Sequence, residues 1–427
     1  MKRRKFIQQA GFLSASSLVA IGTNAHASVS MSATPNSKRL IVIFLRGAVD
    51  GLSVVVPYTE TAYYQARKRI AIPQPDKPGG VLDLDGKFGL HPSLAALMPL
   101  WKQKNLAFVH ACGSRESTRS HFDAQEYMET GTPGIKYTKD GWMNRLLGLI
   151  SEQNNPIQAV NVGSTIPRIL AGNAPVATIP AGRRVAKRLP IDSPKLTTAF
   201  DKLYSGNDAL SKTYRDAREA REALMENSDV EMQLANNGAP LPRGFARDAQ
   251  RLARLMVRDS RIELAFVALG GWDTHINQGN SKGQLSRHLQ RLGDGLAVLQ
   301  KELGEVYKHT NIVVISEFGR TVRENGNGGT DHGHGNVMWL LGGNIRGGKV
   351  YGEFPGLSNN QLYQRRDLEV TTDFRDVITT ILQRHMNLDK AKISHIFPNY
   401  TQNQQLPIIS FFLNSIQKIR KFKDVKI

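Results

Sequence analysis

The apolar positions fall into two repeating patterns. Arg39–Leu45 is a near-continuous apolar run, the pattern of a strand buried on both faces of a parallel sheet. Runs of the same kind recur at Asn105–His110, Ile157–Val162, Ile262–Leu269, Asn311–Ile315 and Val337–Leu341. Between them the period lengthens to that of a helix. Helices are predicted over Pro92–Lys104, 207–236, 243–258 and 283–304, and from Asp373, as N-cap, to Met386. Strands alternating with helices predict an α/β fold, a doubly wound and mostly parallel sheet flanked by helices. The stretch from about 164 to 242 breaks the alternation and is expected to be a cap or helical insertion, in an otherwise single domain over 28–427.

The first 27 residues follow neither pattern. Paired Arg3 and Arg4, a modest apolar stretch from Gly11 to Thr23 and Ala25-His26-Ala27 describe a cleavable signal peptide, and the paired arginines point to the twin-arginine export machinery. That pathway carries folded proteins, which suits a metal loaded before export into the periplasm. The apolar stretch is shorter than the ~20 residues of a membrane span, and no later run approaches that length, so no transmembrane segment is expected in the mature chain.

Composition adds two constraints. The 427 residues include one cysteine, Cys112, which excludes an internal disulfide framework and a cysteine-based zinc cluster. The formal charge is +19, and removing residues 1–27 leaves +15. Much of the excess is local, at Arg183, Arg184, Lys187 and Arg188 and in the last ten residues. None of it is interleaved with aromatics, and no nucleic-acid-binding motif is present, so solvated surface rather than a specific nucleic-acid partner is expected.

The chemistry follows the strands. In open α/β sheets, ligands sit beyond the carboxyl ends of the strands. Arg46-Gly-Ala-Val-Asp50-Gly follows the first strand, Gly270-Gly-Trp-Asp273-Thr-His275 the fourth, and Ser316-Glu317-Phe-Gly-Arg320 the fifth. Asp331-His332-Gly-His334-Gly precedes the sixth. Asp, Glu and His are the oxygen and nitrogen ligands of zinc, manganese and similar ions, so one or two divalent metal ions are expected among Asp50, Asp273, His275, Glu317, His332 and His334. Ser114-Arg-Glu-Ser117-Thr118-Arg119-Ser120-His121 leads into a helix whose N-terminus would favour an anion. Either Ser117 or Thr118 could attack phosphorus or sulfur, while Ser120 could be only an N-cap. Arg46, Arg119 and Arg320 are candidates for binding the oxygens of a tetrahedral anion.

In order along the chain, Arg46-Gly-Ala-Val-Asp-Gly, Ser120-His-Phe-Asp-Ala-Gln, Gly271-Trp-Asp-Thr-His, Ser316-Glu-Phe-Gly-Arg-Thr, Asp331-His-Gly-His-Gly and Thr372-Asp-Phe-Arg resemble an exported bacterial family, domain of unknown function 1501, which is called sulfatase-like. That family looks like a branch of the alkaline phosphatase superfamily, whose doubly wound sheet carries two metals. The resemblance implies that Asp50 binds the second metal and that Asp273 and His275 bind the first. It sets Glu317 where an Asp is usual, and His332 or His334 as the late histidine. Ser117–His121 is similar to the nucleophile segment of the phosphoglycerate mutase branch. Two departures stand out. Asp273 and His275 are spaced Asp-x-His rather than Asp-x-x-x-His, and Phe318 occupies a ligand position, so the second site is either incomplete or recruits His121 or Asp331. No Cys/Ser-x-Pro-x-Arg signature is present, which excludes oxidised-cysteine sulfatase chemistry. The implied activity is hydrolysis of a phosphate or sulfate ester, small or polymeric and anionic. The alternative is a non-catalytic periplasmic protein that holds an anionic ligand on the same fold.

Overall fold

The computed structural model describes residues 37–150, 157–181 and 233–410. The strands in chain order are β1 (Arg39–Leu45), β2 (Val55–Val56), β3 (Leu82–Asp83), β4 (Gly89–Leu90), β5 (Leu106–Gly113), β6 (Ala159–Val162), β7 (Ala177–Ile179), β8 (Leu264–Leu269), β9 (Thr310–Ser316), β10 (Asn336–Gly342), β11 (Lys349–Tyr351) and β12 (Thr372–Asp373). Nine of them form one sheet in the order β11-β5-β10-β9-β1-β8-β6-β7, with β12 beside β5, while β2, β4 and β3 make a small separate sheet. Every pairing in the large sheet is parallel except those of β10 with β5 and β9. The mostly parallel α/β sheet anticipated from the alternation is therefore observed, with one reversed strand.

The helices are α1 (Gly51–Val54), α2 (Thr61–Ala66), α3 (Met98–Lys102), α4 (His121–Thr130), α5 (Trp142–Ile150), α6 (Phe245–Arg258), α7 (Gln284–Leu303), α8 (Phe374–Arg384) and α9 (Lys390–Ile396). Successive side chains of a strand point to opposite faces. Ile41, Ile43 and Leu45 of β1 accordingly pack with α6 and α7, while Leu40, Val42 and Phe44 pack with α5, α8 and α9. On α7, the buried Leu285, Leu289, Leu292, Leu296, Leu299 and Leu303 follow the 3.6-residue period. Two layers of helices thus cover β1 completely, which is why its sequence shows no polar alternation.

Two segments differ from the sequence pattern. The helix predicted over 92–104 is a 3-10 helix, Pro92–Leu97, followed by α3, with Leu94 outside helical geometry. Pro99 supplies no N–H and crowds the preceding turn, so the run divides there. Within the expected insertion, β7 pairs with β6 and extends the main sheet. Of the predicted 207–236 helix, only 233–236 are described, and they are helical. The signal peptide and the basic clusters at 183–188 and in the last ten residues lie outside the described residues. Among the described residues no helix is long and apolar enough to cross a membrane.

Candidate metal centre

The reversal of β10 brings its leading loop to the edge where the other strands end. Asn336 of β10 lies opposite Cys112 near the end of β5, and Gly342 opposite Asn311 near the start of β9. Asp331–Gly335 therefore arrives beside the segments that follow β1, β8 and β9. Two glycines let these segments meet. A Cβ on Gly47 would stand 2.7 Å from the Asp273 backbone nitrogen, at a φ of +111° that side chains disfavour, and one on Gly319 would overlap the Gly335 carbonyl. His121 opens α4, whose N-cap is Ser120, the hydroxyl accepting from the Asp123 N–H at 3.4 Å.

Four side chains converge. Nε2 of His332 lies 2.9 Å from Nε2 of both His121 and His275, and 3.3 Å from Oδ1 of Asp273. His275 Nε2 is 3.0 Å from the same Oδ1, and His121 Nε2 is 3.5 Å from Oδ2. Each ring is held from behind. His121 Nδ1 faces Glu317 Oε1 at 2.9 Å, His275 Nδ1 faces Asp331 Oδ1 at 3.2 Å, and His332 Nδ1 faces the Arg119 carbonyl at 2.9 Å. A ring nitrogen that faces an oxygen acceptor carries the proton, so in each neutral ring Nε2 is left as a lone-pair donor to a metal. Asp273 Oδ2 is buried and accepts no hydrogen bond. Arg320, fully buried, binds the other oxygen at 2.6 Å.

This crowding calls for a cation. Burial opposes charge on His121, but the neighbouring Asp273 and Glu317 carboxylates outweigh that and raise it to about 9. Burial takes His332 the other way, to about 4, helped by the charges on His121 and Arg320. Burial also penalises the Asp273 carboxylate, yet Arg320 and the three histidines hold it well below the usual range. The cluster thus stabilises positive charge among its own lone pairs. Donor atoms 2.0–2.1 Å from a shared ion would sit roughly 3.3 Å apart in a tetrahedron, close to the His332–His121, His332–Asp273 and His121–Asp273 separations of 2.9, 3.3 and 3.5 Å. His121, Asp273 and His332 offer atoms all within 4.8 Å of one another. This three-residue set fits one divalent ion, with His275 beside it.

The other anticipated residues are placed differently. Asp50 does not join the cluster. Both its oxygens bind the buried guanidinium of Arg67, at 2.6 and 3.0 Å, and Oδ2 also accepts from Ser53 and Gln278. Burial raises its pKa, but Arg67 and these hydrogen bonds bring it below the usual value. Its ligand role is replaced by an ion pair because Arg67 saturates it. Glu317 lies behind His121 and also accepts from the Gly47 N–H and Gln125. Asp331 supports His275, and His334 stands against the Tyr363 ring, centroids 4.4 Å apart. Phe318 packs on His121 and His332 at 4.9 and 5.2 Å, as an apolar flank. Each candidate arginine is paired, Arg46 with Glu129, Arg119 with Asp367 and Arg320 with Asp273. Ser117 is exposed, and the Thr118 hydroxyl accepts from the Ser120 N–H at 3.2 Å.

The sequence pattern did not single out Arg67, Gln125 or Gln278. Gln125 carried a signal, lying four residues after His121 and so on the same helix face. Arg67 carried none, since its partner is seventeen residues away in a different element.

The family described as Protein of unknown function (DUF1501) matches residues 37–397. The chain belongs to this family. The DUF1501 match begins just before β1 and ends just after α9, so it takes in every residue of the cluster. No curated protein matches the chain. Among solved structures it is similar to a protein in the alkaline phosphatase superfamily from Vibrio parahaemolyticus, at 12% identity and a TM-score of 0.36, over 74% of this chain and 62% of that one. It is also similar to the lipoteichoic acid synthase LtaP from Listeria monocytogenes (10%, TM-score 0.34, 88% and 75% covered). A third is the C-terminal periplasmic domain of EcEptC from Escherichia coli in complex with Zn (10%, TM-score 0.31, 72% and 74% covered). The DUF1501 chain thus spans about 62% of the length of the Vibrio protein.

Proposed function

We propose that this protein is an exported, metal-dependent hydrolase of a phosphate or sulfate ester. The observation that carries the reading is the meeting of three imidazole Nε2 atoms around a buried carboxylate, each ring anchored through its other nitrogen. A divalent ion such as zinc or manganese would supply Lewis acidity toward a tetrahedral ester there. Asp273, His121, His275 and His332 would hold one ion, and Glu317, Asp331 and the Arg119 carbonyl would fix the ring orientations. Arg320 positions Asp273, while Phe318 keeps water from one flank. Ser117 or Thr118, on the loop that Arg119 ties to His332, would supply the attacking hydroxyl. Export to the periplasm by the twin-arginine machinery is part of this reading, and the paired arginines and the Ala-x-Ala site support it.

Metal analysis of the purified protein and a panel of phospho- and sulfo-esters test this. The expected result is about one equivalent of divalent metal, with turnover abolished by chelator and by Asp273→Asn. Absence of metal, or turnover unchanged in Asp273→Asn, overturns it.

A second reading, a periplasmic binding protein for an anionic ligand, draws on Phe318, which packs on His121 and His332 where the family resemblance implies a metal ligand. It predicts thermal stabilisation by an anion without turnover of any ester.

A further inference from the structure

A pocket of about 690 Å³ opens beside the metal cluster. Its size is that of a small-molecule site, ~300–1,000 Å³. Arg323, Arg365, Arg366, Thr321, Glu324 and Asp331 line it. Two of these connect it to the cluster: Asp331 through His275, and Arg366 by donating to the His332 carbonyl at 2.6 Å.

The charges in the wall do not cancel. Glu324 is taken by Arg69 and by the N–H groups of Arg69 and Ile70. Asp331 is taken by His275 and Asn325. Arg323 and Arg365 have no ion pair among the described residues, so their charges are left to the pocket. Arg365 is also held in a costly conformation. It and Gln364 have φ values of +55° and +52°, in a tight turn closed by reciprocal backbone bonds between Tyr363 and Asp367. Non-glycine residues stay left-handed where the surroundings impose it, and here Arg119 ties Gln364 and Asp367 to the loop before α4. The remaining wall is alanine, valine, leucine, glutamine, serine and asparagine, with no aromatic ring.

We propose that this pocket is a subsite for a second anionic group carried by the leaving group of the ester. The substrate class is then a polyanionic ester, with Arg323 and Arg365 as specificity-determining residues. The proposal rests on the hydrolase reading above, which puts the ester itself at the cluster.

Titration calorimetry on the full-length, zinc-loaded protein tests it, with glucose 1-phosphate and glucose 1,6-bisphosphate as probes. The bisphosphate is expected to bind at least tenfold tighter, and the advantage to fall below threefold in Arg323→Gln/Arg365→Gln. A single Arg323→Gln, at an exposed position, should give an intermediate ratio. Equal affinities in the wild type, no binding of either probe, or an advantage surviving the double substitution overturns the proposal. His332→Ala separates the two readings. If it leaves glucose 1-phosphate binding intact, the metal reading fails, while an arginine-dependent bisphosphate advantage would still uphold the subsite.

Discussion

Asp50 and Asp273 are buried carboxylates that follow neighbouring parallel strands, and their surroundings are opposites. Asp50 is satisfied on both oxygens by Arg67, Ser53 and Gln278. Asp273 has one oxygen on Arg320, close to His275 and His332 as well, and the other without a hydrogen bond, facing His121. A carboxylate whose acceptor sites are filled by fixed donors holds the fold together. One with an acceptor site left open beside imidazoles is a candidate to hold an ion. Position at a strand end makes a carboxylate available to a site, and its partners decide which use it serves.

The largest effect expected from this contrast is on stability. Arg67→Met leaves the Asp50 charge buried and unpaired, and should cost about 3–5 kcal/mol in urea unfolding. A loss under about 1 kcal/mol would mean that the pair is not structural. The metal side should behave conversely. For the wild type, zinc at a hundred times its Kd should add about 2.7 kcal/mol to unfolding. His332→Ala should lose that increment while the metal-free stability stays close to wild type, since the ring leaves a crowded set of lone pairs. Retention of the zinc increment in His332→Ala would remove this histidine from the ligand set.

A smaller effect is expected one step further out. Glu317→Gln keeps the shape behind His121 but weakens its orientation, and should lower zinc affinity about 10–100-fold in a competition titration with a chelating dye. An unchanged affinity would show that Glu317 serves only the Gly47 turn. The smallest effect concerns acid. The Asp50 carboxyl is depressed in the folded protein, so its contribution is complete above the unfolded value of about 3.9 and is lost as pH falls through the lower folded value. Wild type should therefore exceed Asp50→Asn in stability near pH 6, and the gap should close below about pH 4. A gap that widens in acid would contradict the depression.

Much of this was legible in the chain. β1, β5, β8, β9 and β10 fall within a few residues of the predicted runs, because strands covered on both faces must be apolar throughout. The placement of His121 at the start of α4 was visible in Ser120 and the helical spacing after it. The exceptions have local causes. Pro99 divides a run whose apolar period alone looks helical. β11 and β12 are short, and their pairing with β5 depends on distant chain.

What the sequence by itself determined was the set of elements and the recurrence of Asp, Glu and His just beyond the strands, because burial and helix geometry impose periods that residues display locally. What only the tertiary structure decided was the division of labour among those residues. Reversing β10 brings His332 against His121 and His275, a long-range event with no local signal. Arg67 claims Asp50 from a separate helix-linked segment, and Phe318 becomes an apolar wall instead of a ligand. Partner choice depends on distances between segments remote in the chain, and those exist only once the sheet has formed.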